Sequence, residues 1–230
     1  MLIMNQNGSD KPLPRVHSKA IIVFSEIASI VFHPLFMTAI TAMILYYIKP
    51  DAWPNKDWLG SLLLYTVVLP FVAIFLFKIT GVISNARMHK PRDRVLPLAA
   101  TFIFYFVAYK IPGSRNDVPV VMKSLLLGSC FSIATILVIN FFYKVSVHTA
   151  AAIILTGVTI VLNVGLKWTV PLLLPFAVFM AVLVGIIRWF LGAHTLGQIL
   201  LGYVVGIFSQ IAGFFLLTHN TFLARILLLS

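Results

Sequence analysis

Three short polar stretches interrupt an otherwise apolar chain, and each carries residue types suited to handling phosphate. They are Asn85-Ala-Arg87-Met-His89-Lys90-Pro-Arg92-Asp93-Arg94, Lys144-Val-Ser146-Val-His148, and Arg188-Trp-Phe-Leu-Gly-Ala-His194-Thr-Leu-Gly-Gln198. Guanidinium forks match the oxygens of a tetrahedral phosphate, and a serine hydroxyl adds one more bond. Histidine suits the two remaining tasks, nucleophile and general acid, because its ordinary pKa lies near neutrality. His194 and Gln198 stand four apart, so on a helix they share one face and the amide can reach the imidazole. A helix beginning at that point also favours a bound anion.

The elements that must position these residues are membrane-spanning helices. Of 230 residues, 60% are apolar and only 10% charged, with a mean hydropathy of +1.03. A soluble domain of ordinary composition carries about 25% charged residues, so this chain lacks the polar surface to cover itself in water. Seven apolar runs are expected as spans: Ile27–Ile48, Leu59–Phe77, Val95–Tyr109, Ser124–Tyr143, Val145–Leu166, Trp168–Ile187 and Leu196–Leu217. Most reach the ~20 residues that cross ~30 Å of hydrocarbon. Val95–Tyr109 is the shortest: either it spans, tilted little and with Lys110 snorkelling, or it lies partly in the interface. The expected fold class is all-α, a polytopic bundle of six to seven transmembrane helices. A polar N-terminal tail over 1–22 precedes a single transmembrane domain over 23–230, with a motif-bearing core at about 85–217.

Two runs separate each polar stretch from the next. Crossing a bilayer twice returns the chain to the side it left, so all three stretches reach one membrane face, provided that Val95–Tyr109 spans. The net charge of +11 sits between apolar runs, which points to anionic lipid head groups or a phosphate-bearing substrate and away from nucleic acid. With ten Lys/Arg on the N-terminal side of the seven spans and seven on the other, the count favours a cytoplasmic N-terminus. The lone cysteine, Cys130, excludes an intramolecular disulfide and suggests no thiolate metal site. The polar first twenty residues lack a small-residue cleavage pattern, so a removable signal peptide is not expected.

The order and spacing of the three stretches resemble the type 2 phosphatidic acid phosphatase superfamily, the integral-membrane relatives of vanadium haloperoxidases. Its motifs are Lys-x6-Arg-Pro, Pro-Ser-Gly-His and Ser-Arg-x5-His-x3-Asp. Arg87 and Arg94 resemble the first, with Arg for Lys and the proline displaced to Pro97. Val145-Ser146-Val147-His148 resembles the second, and Ile187-Arg188, His194 and Gln198 the third, with Gln where Asp is expected. The resemblance implies a phosphatidic acid phosphatase/haloperoxidase-like core and a lipid phosphatase that needs no metal and no cofactor. The implied substrate is a phosphomonoester or diphosphate of a membrane lipid: phosphatidic acid, phosphatidylglycerophosphate, a prenyl diphosphate or a lipid A type. It assigns Arg87, Arg94, Arg188 and Ser146 to the phosphate oxygens, with Lys90 the second choice for the first cation. His194 is then the nucleophile, His148 the acid for the leaving oxygen, and Gln198 the residue that orients His194. The expected location is a bacterial cytoplasmic membrane, with the side of the site and the oligomeric state left open.

Two other readings stand beside this one. Gln198 and Val147, in place of the family's Asp and Gly, fit a weak or inactive relative that binds phospholipid head groups. The cationic stretches alone would also fit a small anion transporter. Outside the three stretches, His33-Pro34 reads as a kink in the first run, and Asn140 and Asn163 as bonds between helices. Gly202 and Gly206 show the small-xxx-small spacing of close helix packing.

Overall fold

The computed structural model describes residues 18–50, 57–83, 91–167 and 170–228, with the backbone alone at 91–92 and 220–228. Among the described residues the chain is all-helical, without strands. The helices are α1 (Lys19–Val31), α2 (Pro34–Ile48), α3 (Asp57–Ile79), α4 (Pro91–Lys110), α5 (Val120–Ile139), α6 (Val147–Gly165), α7 (Leu173–Phe190) and α8 (Leu196–Leu228). Five of them, α3 and α5 to α8, are long and apolar enough to cross a membrane singly, and the α1–α2 pair passes the same test together. Large apolar side chains are exposed on the outside, among them Phe71, Phe75, Phe179 and Phe208, as an exterior solvated by lipid requires.

The first apolar run is a broken helix. Its two halves meet at 63° across Phe32 and His33. Pro34 has no N–H to bond the preceding turn and drives the residue before it out of the helical region. His33 accordingly takes φ −65° and ψ 139°, and caps α2 by accepting the Leu35 N–H on Nδ1. Proline also shapes α3, which widens into a π-helical turn at Leu64–Val68. The Pro70 ring would strike the carbonyl four residues back, that of Thr66, and the wider turn relieves the clash.

α4 covers the run whose crossing was in question. It is a continuous helix of 20 residues, about 30 Å at 1.5 Å per residue. It is absent from the five apolar spans because Arg92, Asp93, Arg94 and Lys110 crowd its ends. Pro91 stands at its first position, where a missing N–H costs nothing, and Asp93 complements the positive end of the helix.

α6 is the most enclosed span, with 72% of its apolar window buried. α8 lies along it and along α5. A Cβ at Gly202 would meet the Ser146 carbonyl at 2.7 Å, and one at Gly206 would strike Ile153 and Ala150. These glycines let α8 approach the α6 backbone directly, and that contact sets where Ser146 and His148 stand. α1 packs on α7, α2 on α6, and α4 on α5.

Candidate functional site

Five chain segments meet at one end of the bundle, tied by hydrogen bonds between residues remote in sequence. Arg94, in the first turn of α4, donates from Nη1 to the Val145 carbonyl at 3.3 Å. Lys144 donates to the Ala193 carbonyl at 3.3 Å. Arg188, near the end of α7, donates from Nη1 to Ser29 Oγ on α1 at 2.7 Å. The Ser146 N–H reaches the Gln198 carbonyl at 3.2 Å.

The α7–α8 connection shows how local sequence places two of the residues. α7 ends in a Schellman turn: the Gly192 N–H bonds the Trp189 carbonyl at 3.0 Å and the Ala193 N–H bonds that of Arg188 at 3.2 Å. The turn needs a left-handed residue, and Gly192 supplies it with φ 64°. The backbone of Arg188 is thereby clamped to the residue preceding His194, so the guanidinium and the imidazole are held in one frame.

His194 is 4% exposed, and its Nδ1 lies 2.9 Å from Gln198 Oε1. The same oxygen accepts the Thr195 N–H at 3.3 Å. An atom that accepts from a backbone amide is the carbonyl oxygen and not the NH₂ of the glutamine, so Nδ1 must be the donor. His194 therefore carries its proton on Nδ1, and Nε2 keeps a free lone pair. Burial, followed by the Arg188, Lys144 and Arg94 charges, pushes its pKa down to about 3, against the partial opposition of the Gln198 bond. The ring is neutral at pH 7. Lys144, desolvated and close to Arg94 and Arg188, falls to about 8.

A cavity of about 170 Å³ opens below these groups, with Arg94, His148, Arg188 and His194 in its wall. Two residues from the broken first span join them. His33 lines the cavity with its ring centroid 5.4 Å from that of His148, edge to face. Ser29 Oγ stands 3.5 Å from His148 Nε2 while accepting from Arg188. The Arg188 Nε–H is buried without a hydrogen-bond partner, and no ion pair holds this guanidinium among the described residues. A buried cation in that state is an open position for an anion.

Of the residues expected from the sequence, Arg94, His148, Arg188, His194 and Gln198 converge here. Ser146 reaches the same end but stands behind the wall. It is fully buried and caps α6, its Oγ accepting the Thr149 N–H at 3.4 Å. Phosphate contact there would require that cap to open. Arg87 and Lys90 lie outside the described residues. Val147, which stands where the family motif has glycine, lines the cavity beside His148. Ser29 and Lys144 were not singled out. Ser29 leaves one trace, its four-residue spacing from Ser25 on α1; Lys144 stands in the same stretch as Ser146 and His148. The group contains no set of three or more His, Cys, Asp or Glu able to hold a metal among the described residues. The chain matches no family model, no curated protein and no solved structure.

Proposed function

We propose that the chain is a membrane phosphatase that removes phosphate from a lipid phosphate or diphosphate through a phosphohistidine intermediate. The observation that carries this reading is His194: neutral, with its proton committed to Gln198 and its Nε2 lone pair free, among Arg94, Lys144 and Arg188. A neutral imidazole surrounded by cations attracts an anionic electrophile and repels other cations.

In the proposed reaction the phosphoryl group enters between Arg94 and Arg188, taking the unpartnered Arg188 Nε–H and sharing Nη1 with Ser29. His194 Nε2 attacks phosphorus, forming the N–P bond as the bond to the lipid oxygen breaks. His148 hands a proton to that oxygen; the phosphate dianion beside it favours the protonated ring that this step needs. Water then attacks phosphorus, its proton returns to His148, and inorganic phosphate leaves with the His194 lone pair restored. Gln198 keeps the Nδ1 proton in place throughout, orienting the ring through a neutral bond.

The test is phosphate release by purified protein in EDTA from phosphatidic acid, phosphatidylglycerophosphate and a prenyl diphosphate, together with equilibrium binding of vanadate. Release that disappears in His194→Ala supports the enzyme. Losing one or two charge-assisted bonds in Arg188→Ala should weaken vanadate binding by roughly ten- to a thousand-fold. Neither release nor vanadate binding would sink the reading. Vanadate binding without release from any substrate would favour a head-group-binding relative, for which the uncharged Gln198 is the supporting feature.

A further inference from the structure

The cavity does not stop at the charged groups. α4 contributes Arg94, Leu98, Thr101 and Tyr105 to its wall, four residues on one helix face at spacings of four, three and four. From Arg94 to Tyr105 the stripe is about 16 Å long at 1.5 Å per residue. α5 runs the other way, placing Ile136 and Ile133 toward the charged end and Ser129 at the far end.

The wall therefore has three layers. Cations and imidazoles form the roof, and a sleeve of apolar side chains, with Leu98, Ile133 and Ile136 among them, forms the middle. The floor is made of hydroxyls. Thr38 Oγ1 and Ser129 Oγ are 3.3 Å apart, and the Tyr105 phenol, 2% exposed, bonds to Thr38. These three groups satisfy one another, so the floor asks for no polar partner and would have to break its own bonds to admit a longer chain.

From this layering we propose that the chamber holds one hydrocarbon chain of a lipid phosphate, head group at Arg188 and His194, and that the Thr38–Ser129–Tyr105 floor sets the longest chain enclosed. This rests on the phosphate reading of the roof and adds the part that selects the tail. Charge complementarity fixes the direction of the ligand: an anion suits only the roof, whereas a hydrocarbon chain loses no hydrogen bond on leaving water for the middle, where the Thr101 hydroxyl is already bonded to the Pro97 carbonyl. The sleeve itself, from Ile136 to Ser129 on α5, is about 10 Å long at 1.5 Å per residue, which accommodates roughly eight carbons because each ~1.5 Å bond advances an extended chain by only ~1.3 Å.

Binding of n-alkyl phosphates of increasing length, measured by calorimetry against free ligand concentration with inorganic vanadate as the chainless reference, tests this without requiring turnover. Affinity should rise about fourfold per methylene and stop rising near roughly eight carbons. Tyr105→Ala should move that limit to longer chains. Leu98→Phe, which narrows the sleeve and leaves the floor intact, should flatten the chain-length dependence while vanadate still binds. An affinity independent of chain length in a protein that binds vanadate would overturn the chamber and leave the phosphate site standing. A limit that stays put in Tyr105→Ala, with Leu98→Phe also unchanged, would overturn it as well. Failure to bind vanadate or any alkyl phosphate would overturn both.

Discussion

His194 Nδ1 lies 2.9 Å from Gln198 Oε1, and the Thr195 amide on the same oxygen makes that contact directional. The side chain four residues along decides which imidazole nitrogen holds the proton, and so which one is free to react. Removing it in Gln198→Ala should leave vanadate affinity within a few-fold and lower phosphate release roughly 10- to 100-fold, the usual cost of losing an orienting partner. Gln198→Asp, which adds a charge next to the ring, should retain or raise release, because the phosphohistidine is cationic at the ring. Complete loss of release in the Asp variant, with vanadate binding intact, would give Gln198 a role other than orientation.

The neutral state of His194 has a pH signature. Its folded pKa, about 3, lies below the ordinary ~6.5 of histidine, so the unfolded chain binds the proton first as pH falls. The stabilisation from keeping this ring neutral is complete above pH ~6.5 and declines by about 2 kcal/mol by pH 5, continuing down to pH 3. Thermal unfolding in one detergent should therefore show His194→Gln to be less acid-sensitive than the parent between pH 7 and 5. Nitrogen-15 NMR of labelled histidine should show one ring remaining as the Nδ1–H tautomer through that range. A His194 resonance that titrates near 6.5 would contradict the geometry.

Lys144 sets the alkaline side. With its pKa brought to about 8 by burial and by Arg94 and Arg188, it loses its proton, and with it a cation near the site, as pH rises through 8. Vanadate or phosphate affinity should fall between pH 7 and 9 in the parent protein. In Lys144→Met affinity at pH 7 should already be reduced and the pH 7–9 limb absent. A limb unchanged in the variant would mean that another group titrates there.

The packing of α8 on α6 is a precondition of the site. A Cβ at Gly202 would meet Thr149 and the Ser146 carbonyl, backbone that cannot swing aside. Gly202→Val should cost on the order of 1–3 kcal/mol through overpacking and shift His148 away from Ser29. Lower thermal stability accompanied by lost vanadate binding is the expected pair of results. Gly60, where a Cβ has open space, is the control: Gly60→Ala should leave both unchanged.

Much of the helical framework was legible because hydropathy reports burial in lipid directly. Each of the seven apolar runs corresponds to a helix or, for the first, to the bent α1–α2 pair. The errors lie at the ends and have local causes. The run at Val95 missed the polar first turn, Pro91 to Arg94, since a charged turn is invisible to an apolar count. The run expected from Trp168 begins as a helix only at Leu173, because Pro171 and a left-handed Leu172, φ 64°, hold the chain in a turn. Asn163 was expected to bond a neighbouring helix, yet its Oδ1 is buried without a partner.

The sequence by itself determined that the chain is a bundle of long apolar helices and that Arg94, His148, Arg188, His194 and Gln198 belong to stretches of one chemical kind. Both follow from local physics: apolar runs of fixed length, and polar groups too costly to leave in lipid without a task. Only the tertiary structure decided that Ser29, 159 residues from Arg188, is its partner, that Ser146 spends its hydroxyl on a helix cap, and that hydroxyls close the far end of the cavity. A serine or threonine within an apolar helix can satisfy itself on its own backbone, as Thr101 does on Pro97, or reach another helix, as Thr38 reaches Ser129. The residue type is the same in both cases. What differs is which helix stands opposite, and that is set by packing between segments, not by anything within the run.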